Sequence, residues 1–220
     1  MRINRYIAQH TDLSRRKADK LIDDGKVIVN RKPAHNGLDV SGKDTIVVDG
    51  MTVKPSTQKK SVILLHKPTG YVCSKDGQGS PTVYDLLQDG MQNLHIAGRL
   101  DKDSSGLVVL TNDGQLMQEL THPSNDKEKI YHVSLNRPLE GGMIAKLARG
   151  VDISDTRLSK LMVLPRESGE ADYEVSIQEG RNRQIRRSFE AVGYKVESLH
   201  RTNLGQYDIG SLVPKQFKIM

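Results

Sequence analysis

The apolar residues of this chain fall into short runs of two periods, one helical and one alternating. Near the start, Ala18, Leu21 and Ile22 form an i, i+3, i+4 stripe, which predicts a short amphipathic helix. Ser14 stands where its N-cap belongs, and Gly25 where the helix stops. The stripe leaves Arg16 and Lys20 one turn apart on the polar side. The β-prone stretches Lys26 to Asn30 and Thr45 to Val48 follow, the second running into an Asp49-Gly50 hairpin signal. Two helices and a small sheet fit this segment.

Residues 54–60 are polar, carry Pro55 and lack apolar periodicity, so they are read as a linker between a domain over 1–53 and a second over 61–220. Beyond the linker, strand-like runs occur at Ser61 to Leu65, Leu107 to Leu110, Tyr131 to Leu135 and Tyr173 to Ile177. Short helical patterns, such as Met143 to Leu147, lie among them. The mixed order predicts an α+β fold rather than a doubly wound sheet.

Charge sharpens the division. The formal net charge is +6, and residues 1–60 hold 13 Lys and Arg against 7 Asp and Glu, while 61–220 hold 20 of each sign. A basic module on a charge-balanced body suits a holder for a polyanion, although a solvated basic face has the same composition. The single cysteine, Cys73, excludes an internal disulfide framework and, with no zinc-like Cys/His spacing, points to a reducing cytosolic compartment. No apolar run approaches the roughly 20 residues that span a bilayer, so a cytoplasmic protein with no membrane partner is expected.

Three stretches carry candidate chemistry. Gly98 to Gly114 sets Arg99, Asp101 and Asp103 in a glycine-punctuated loop ahead of a buried-looking strand. By itself such a loop is also compatible with a plain turn. Lys129 to Val133 alternates so that Tyr131 and Val133 share a sheet face; in a chain with 4% aromatic residues, Tyr131 could stack on a base or fill the core. Glu179 to Arg187 places Arg181, Arg183, Arg186 and Arg187 within seven residues ahead of an apparent helix running to Gly193, a pattern suited to phosphate or to a salt-bridged face.

In this order the stretches resemble, from end to end, the bacterial rRNA pseudouridine synthases of the RsuA family. Leu13 to Ala18 through Asn30 resembles the alpha-L RNA-binding domain, and His66-Lys67-Pro68, Thr121-His122-Pro123 and the three stretches above fall in the family's sequence. The resemblance implies a small N-terminal α/β RNA-binding domain ahead of a mixed, largely antiparallel catalytic domain. Its implied substrate is ribosomal RNA, the large-subunit RNA ahead of the small, acted on by a monomer that needs no cofactor and no metal.

Residue by residue, the resemblance makes Asp101 the nucleophile, Tyr131 the tyrosine packed on the target base and Arg186 the arginine paired with the aspartate. Arg99 would fill the space left by a flipped nucleotide, and Leu204 is a further apolar position of the site. Arg15, Arg16, Lys17 and Lys20 of the first domain, with Arg181, Arg183 and Arg187 of the second, would contact RNA. His66, Ser104 and Ser188 depart from the family's usual Asn, Thr and Met. Two rival readings stay open: an RNA binder without turnover, and a hydrolase using Asp101 and Asp103 as paired carboxylates.

Overall fold

A computed structural model describes residues 1–11, 13–55 and 59–220, and the chain divides into two units, Met1–Lys59 and Lys60–Met220. Of the expected linker, residues 56–58 lie outside the described residues.

The first unit packs helices α1 (Ile3–His10) and α2 (Arg15–Asp23) against strands β1 (Val27–Val29), β2 (Lys32–Pro33), β3 (Ile46–Val48) and β4 (Met51–Thr52). The strands form an antiparallel sheet in the order β2-β1-β3-β4. The predicted stripe is the buried face of α2: Ala18, Leu21 and Ile22 join Ile3, Ile7, Val27 and Ile46 in one core. Ser14 caps the helix by accepting a hydrogen bond from the Lys17 N–H at 3.2 Å, which satisfies one of the helix's unpaired donors. Arg15, Arg16, Lys17 and Lys20 are exposed, and none has an ion-pair partner among the described residues.

The second unit is built on strands β5 (Val62–Lys67), β6 (His95–Ala97), β7 (Ser105–Thr111), β8 (Lys129–Leu135), β9 (Met162–Pro165), β10 (Asp172–Ile177), β11 (Val196–Leu204), β12 (Tyr207–Asp208) and β13 (Phe217–Ile219). Helices α3 (Gly114–Thr121), α4 (Met143–Arg149) and α5 (Gln184–Glu190) complete it. The sheet runs β13-β5-β7-β11-β8-β10-β9, with β6 on β7 and β12 on β11. Its described pairings are antiparallel except β11 with β7, so the fold is α+β with a mostly antiparallel sheet.

Both faces of the central strands are covered, which explains their unbroken apolar runs. Ile63, Leu65, Val108 and Leu110 face the larger core with Phe189 of α5, whereas Leu64, Leu107 and Val109 face a smaller one with Leu120 of α3. The expected strands and the Met143 helix fall on β5, β7, β8, β10 and α4, with Ser61 just ahead of β5. The helix expected to reach Gly193 ends sooner: α5 stops at Glu190, and Gly193, at φ +85°, follows in a turn.

His66, His200 and His132 lie in a row across the sheet, with the His66 and His132 ring centroids 5.0 and 6.3 Å from that of His200. Burial, and then the like charges of His66, His132 and Arg166, lower the His200 pKa from 6.5 to about 4. Below pH 6.5 the unfolded chain therefore binds the proton that the folded one refuses, and stability falls as pH drops toward 4. Thermal melts from about pH 7 to about pH 4.5 should show a falling transition temperature, and His200→Gln should flatten that fall. An equal pH dependence in the variant would assign the acid sensitivity to other groups.

Candidate active site

The loop between β6 and β7 holds Arg99, Asp101 and Asp103, and its backbone is fixed at nearly every step. The Leu100 N–H points at Cys73 Sγ (3.4 Å), the Gly70 N–H donates to the Lys102 carbonyl (2.8 Å), and the Ser104 N–H donates to the Asp101 carbonyl (3.1 Å). Lys67, fully buried, donates from Nζ to the Ser104 carbonyl at 2.5 Å, and burial lowers its pKa. Arg201 of β11, 1% exposed, donates from Nη2 to the Gly98 carbonyl (2.8 Å) and from Nε to the Leu107 carbonyl (2.9 Å). The motif that contains Lys67 gives no hint of this role, and Arg201 lies in a strand too polar for its burial to be read from spacing.

A cavity of about 530 Å³ opens beside this loop, with Arg99, Asp101, Tyr131, Arg181, Arg183 and Arg201 on its wall. Arg99 is exposed and has no ion-pair partner among the described residues. Tyr131 is 7% exposed and stands on β8 opposite Arg201 of β11 and Val175 of β10. Tyr131 belongs to the larger core and also lines the cavity. Leu204 is fully buried in the smaller core with Leu107 and Leu120; the β11 leucine on the cavity wall is Leu199.

The arginines divide in a way their spacing did not reveal. Asp101, with its side chain 37% exposed, has Arg183 Nη1 at 3.6 Å. Arg186, expected beside Asp101, instead sets Nε 3.4 Å from an Asp103 carboxylate oxygen and donates to the Val196 and Asp103 carbonyls. It lines a neighbouring cleft together with Asp103 and Arg183. The reason is the start of α5: Arg183 takes the left-handed N-cap conformation, φ +47°, and its guanidinium lies between both carboxylates.

Arg183 donates to the two Asp103 oxygens at 3.0 and 2.9 Å, a two-point pair that holds the Asp103 carboxyl below the usual carboxylate range. Sharing one guanidinium makes Asp101 and Asp103 an arginine cradle, unlike two carboxylates facing each other across a scissile bond.

Arg181 and Arg187 are committed within the unit. Arg181 pairs with Glu179 (2.8 Å) and Asp155 (3.2 Å) and donates to the Arg157 and Leu158 carbonyls. Arg187 pairs with Asp155 (2.9 Å) and donates to the Ile153 carbonyl. Both pin the segment before β9. Of the four clustered arginines, Arg183 is therefore the exposed one on the cavity wall. Ser188, in place of the expected Met, is buried and donates to Ser159 Oγ at 2.8 Å.

Among the described residues, no group of three or more His, Cys, Asp or Glu is placed to hold a metal ion, and no helix is long and apolar enough to cross a membrane.

A sequence model of the RNA pseudouridylate synthase family matches residues 61–191, the segment that carries the loop, Tyr131 and the arginine cluster. The ribosomal large subunit pseudouridine synthase B of Bacillus subtilis is 36% identical over 206 residues, covering 91% of this chain and 84% of the relative. The ribosomal small subunit pseudouridine synthase A of Pasteurella multocida is 36% identical over 217 residues, covering 95% and 90%. A crystal structure of a pseudouridylate synthase superimposes with a TM-score of 0.73 at 31% identity, covering all of this chain and 96% of the other. On these matches the chain belongs to the RNA pseudouridylate synthase family and is an RNA pseudouridine synthase, an isomerase.

Proposed function

We propose that this enzyme isomerises a uridine of ribosomal RNA, with Asp101 as nucleophile and the target base turned out of its stack against Tyr131. The observation that carries the reading is the cavity on whose wall Arg99, Asp101 and Tyr131 meet. Pseudouridylation breaks the bond from the ribose anomeric carbon to a ring nitrogen and makes one to a ring carbon, which then loses its proton to the medium while the nitrogen gains one. No electrons and no external group are exchanged, so the reaction calls for neither cofactor nor metal.

Extruding the base costs a few kcal/mol that new contacts must offset. Arg99, exposed and unpaired among the described residues, would fill the vacated stack, and Tyr131 would supply a flat face for the uracil. Asp101, as the carboxylate nucleophile, would attack either the anomeric carbon or the uracil ring. Arg183 stands next to it as a counter-ion, with Arg186 adding positive potential from behind Asp103. Arg181 and Arg187 would then act as struts for the rim, and Arg183, paired with Asp103 but exposed on the cavity wall, would be the clustered arginine that meets RNA.

The unit over residues 1–59 would be the RNA grip, an alpha-L type domain, in a monomeric cytoplasmic enzyme. Its Arg15, Arg16, Lys17 and Lys20, exposed and without an ion-pair partner among the described residues, would meet phosphate. Replacing all four by Gln should weaken RNA binding and lower the log-log salt slope by about 0.7 to 0.9 for each phosphate no longer neutralised. An unchanged slope would remove these residues from the RNA interface.

Relatives named for the large and the small subunit share the same 36% identity with this chain, so the substrate itself must be located. Pseudouridine mapping across total RNA from cells with and without the gene should show a ribosomal site that disappears with the gene. A map in which every ribosomal pseudouridine survives would refute the proposed substrate.

A further inference from the structure

We infer that Arg201 is a positioning residue for the isomerisation, a buried guanidinium that fixes the loop carrying Arg99 and Asp101 against the strand carrying Tyr131. The inference rests on the proposed roles of Asp101 and Tyr131. Arg201 is 1% exposed, yet it donates to carbonyl oxygens and has no ion pair with a carboxylate among the described residues. Burying a charge costs several kcal/mol, and an apolar side chain of similar volume often serves stability as well or better. What the guanidinium does here that a hydrophobe could not is to bind three carbonyls at once.

Those carbonyls flank Asp101 on both sides, two at the start of the loop and one in β7. Nη2 reaches Gly98 at 2.8 Å and Nη1 reaches Arg99 at 3.5 Å, while Nε reaches Leu107 at 2.9 Å on the far side of Asp101. A planar fork holds such acceptors in a fixed relation, whereas a lysine's single ammonium follows one of them. The backbone of Arg201 is equally constrained. It pairs with Gly106 of β7 in the parallel ladder and with Tyr131 of β8 in the antiparallel one. Directly opposed residues send their side chains to the same face, so Arg201 and Tyr131 are neighbours, and both line the cavity.

Immediately after Arg201 the register with β8 slips between Arg201 and Asn203, a bulge of the kind that re-aims a side chain. One residue thus ties the loop that holds the nucleophile to the platform on which the base would lie. A displacement of about 1 Å between reacting groups can cost about 100-fold in rate.

The test compares the full-length chain with Arg201→Lys and Arg201→Met on an unmodified ribosomal RNA fragment, by steady-state and single-turnover kinetics, RNA binding and thermal melting. Expected is a fall in kcat of about 100-fold for both variants, counted per folded molecule, with RNA affinity within about twofold. Arg201→Lys, which keeps the charge but not the fork, should melt closer to the parent than Arg201→Met yet remain slow. Wild-type kcat in Arg201→Lys, a loss confined to KM, or a failure of both variants to fold would each overturn the positioning role. Asp101→Asn run alongside separates the two failures: if it stays active the nucleophile reading falls, and if it is dead while Arg201→Lys is fast only the present inference falls.

Discussion

Asp101→Asn is expected to abolish pseudouridine formation while leaving RNA binding within about twofold of the parent. Asparagine keeps the size and one acceptor oxygen, and the loop is held by bonds to Cys73, Gly70, Lys67 and Arg201 that do not involve the Asp101 side chain. An amide is neither charged nor a competent nucleophile. The ion pair removed is the 3.6 Å approach of Arg183 between two partly exposed groups, which contributes little to stability. Asp103→Asn would not be a neutral comparison, because Asp103 holds Arg183 at two points and also faces Arg186. The exposed Asp89, on a turn away from the cavity wall, serves instead, and Asp89→Asn should turn over normally. Turnover by Asp101→Asn at a comparable rate would reassign the nucleophile.

The second large effect is on folding. Gly106 has φ +110°, and a Cβ built there would lie 2.2 Å from the Arg201 carbonyl oxygen and 2.5 Å from its nitrogen. Both obstacles are backbone atoms of the paired strand, so neither can swing aside. Gly106→Ala should therefore destabilise the catalytic unit by more than about 4 kcal/mol, the range reserved for severe steric conflicts. At about 2 to 4 °C per kcal/mol the transition should drop by at least about 8 °C. Gly114→Ala is the contrast: that glycine opens α3, lacks a positive φ and has nothing within 4 Å of the added methyl, so its melt should change little. Equal melting temperatures for the two variants would mean that β7 and β11 leave room for a side chain between them.

The parts of the fold that were legible are those in which one physical signal dominates. The α2 stripe and its Ser14 cap, and the doubly buried β5 and β7, follow from apolar spacing and a single capping residue. The central β11 did not, because it carries Glu197, His200, Arg201 and Asn203, buries Arg201 and Thr202, and is broken by register shifts that destroy alternation. That irregular strand is also where Arg201 acts, and local pattern and tertiary role conflict most at such sites.

Asp101, Arg99 and Tyr131 were singled out together only through the family resemblance, and the structure puts all three on one cavity wall. The partition of the arginines was not legible. Whether Arg181 and Arg187 face RNA or bind Asp155 depends on a segment more than twenty-five residues upstream, and the pairing of Arg183 rather than Arg186 with Asp101 depends on a left-handed N-cap.

The most direct measurement is the product itself. Purified enzyme is incubated with an unmodified ribosomal RNA transcript, the RNA is digested to nucleosides, and both the nucleosides and the small molecules left in solution are identified by chromatography and mass spectrometry. Expected is a carbon-linked uridine isomer of unchanged mass, formed without metal or cofactor and with no free uracil released. Release of free uracil, or RNA that is bound but acquires no new nucleoside, would contradict the assignment.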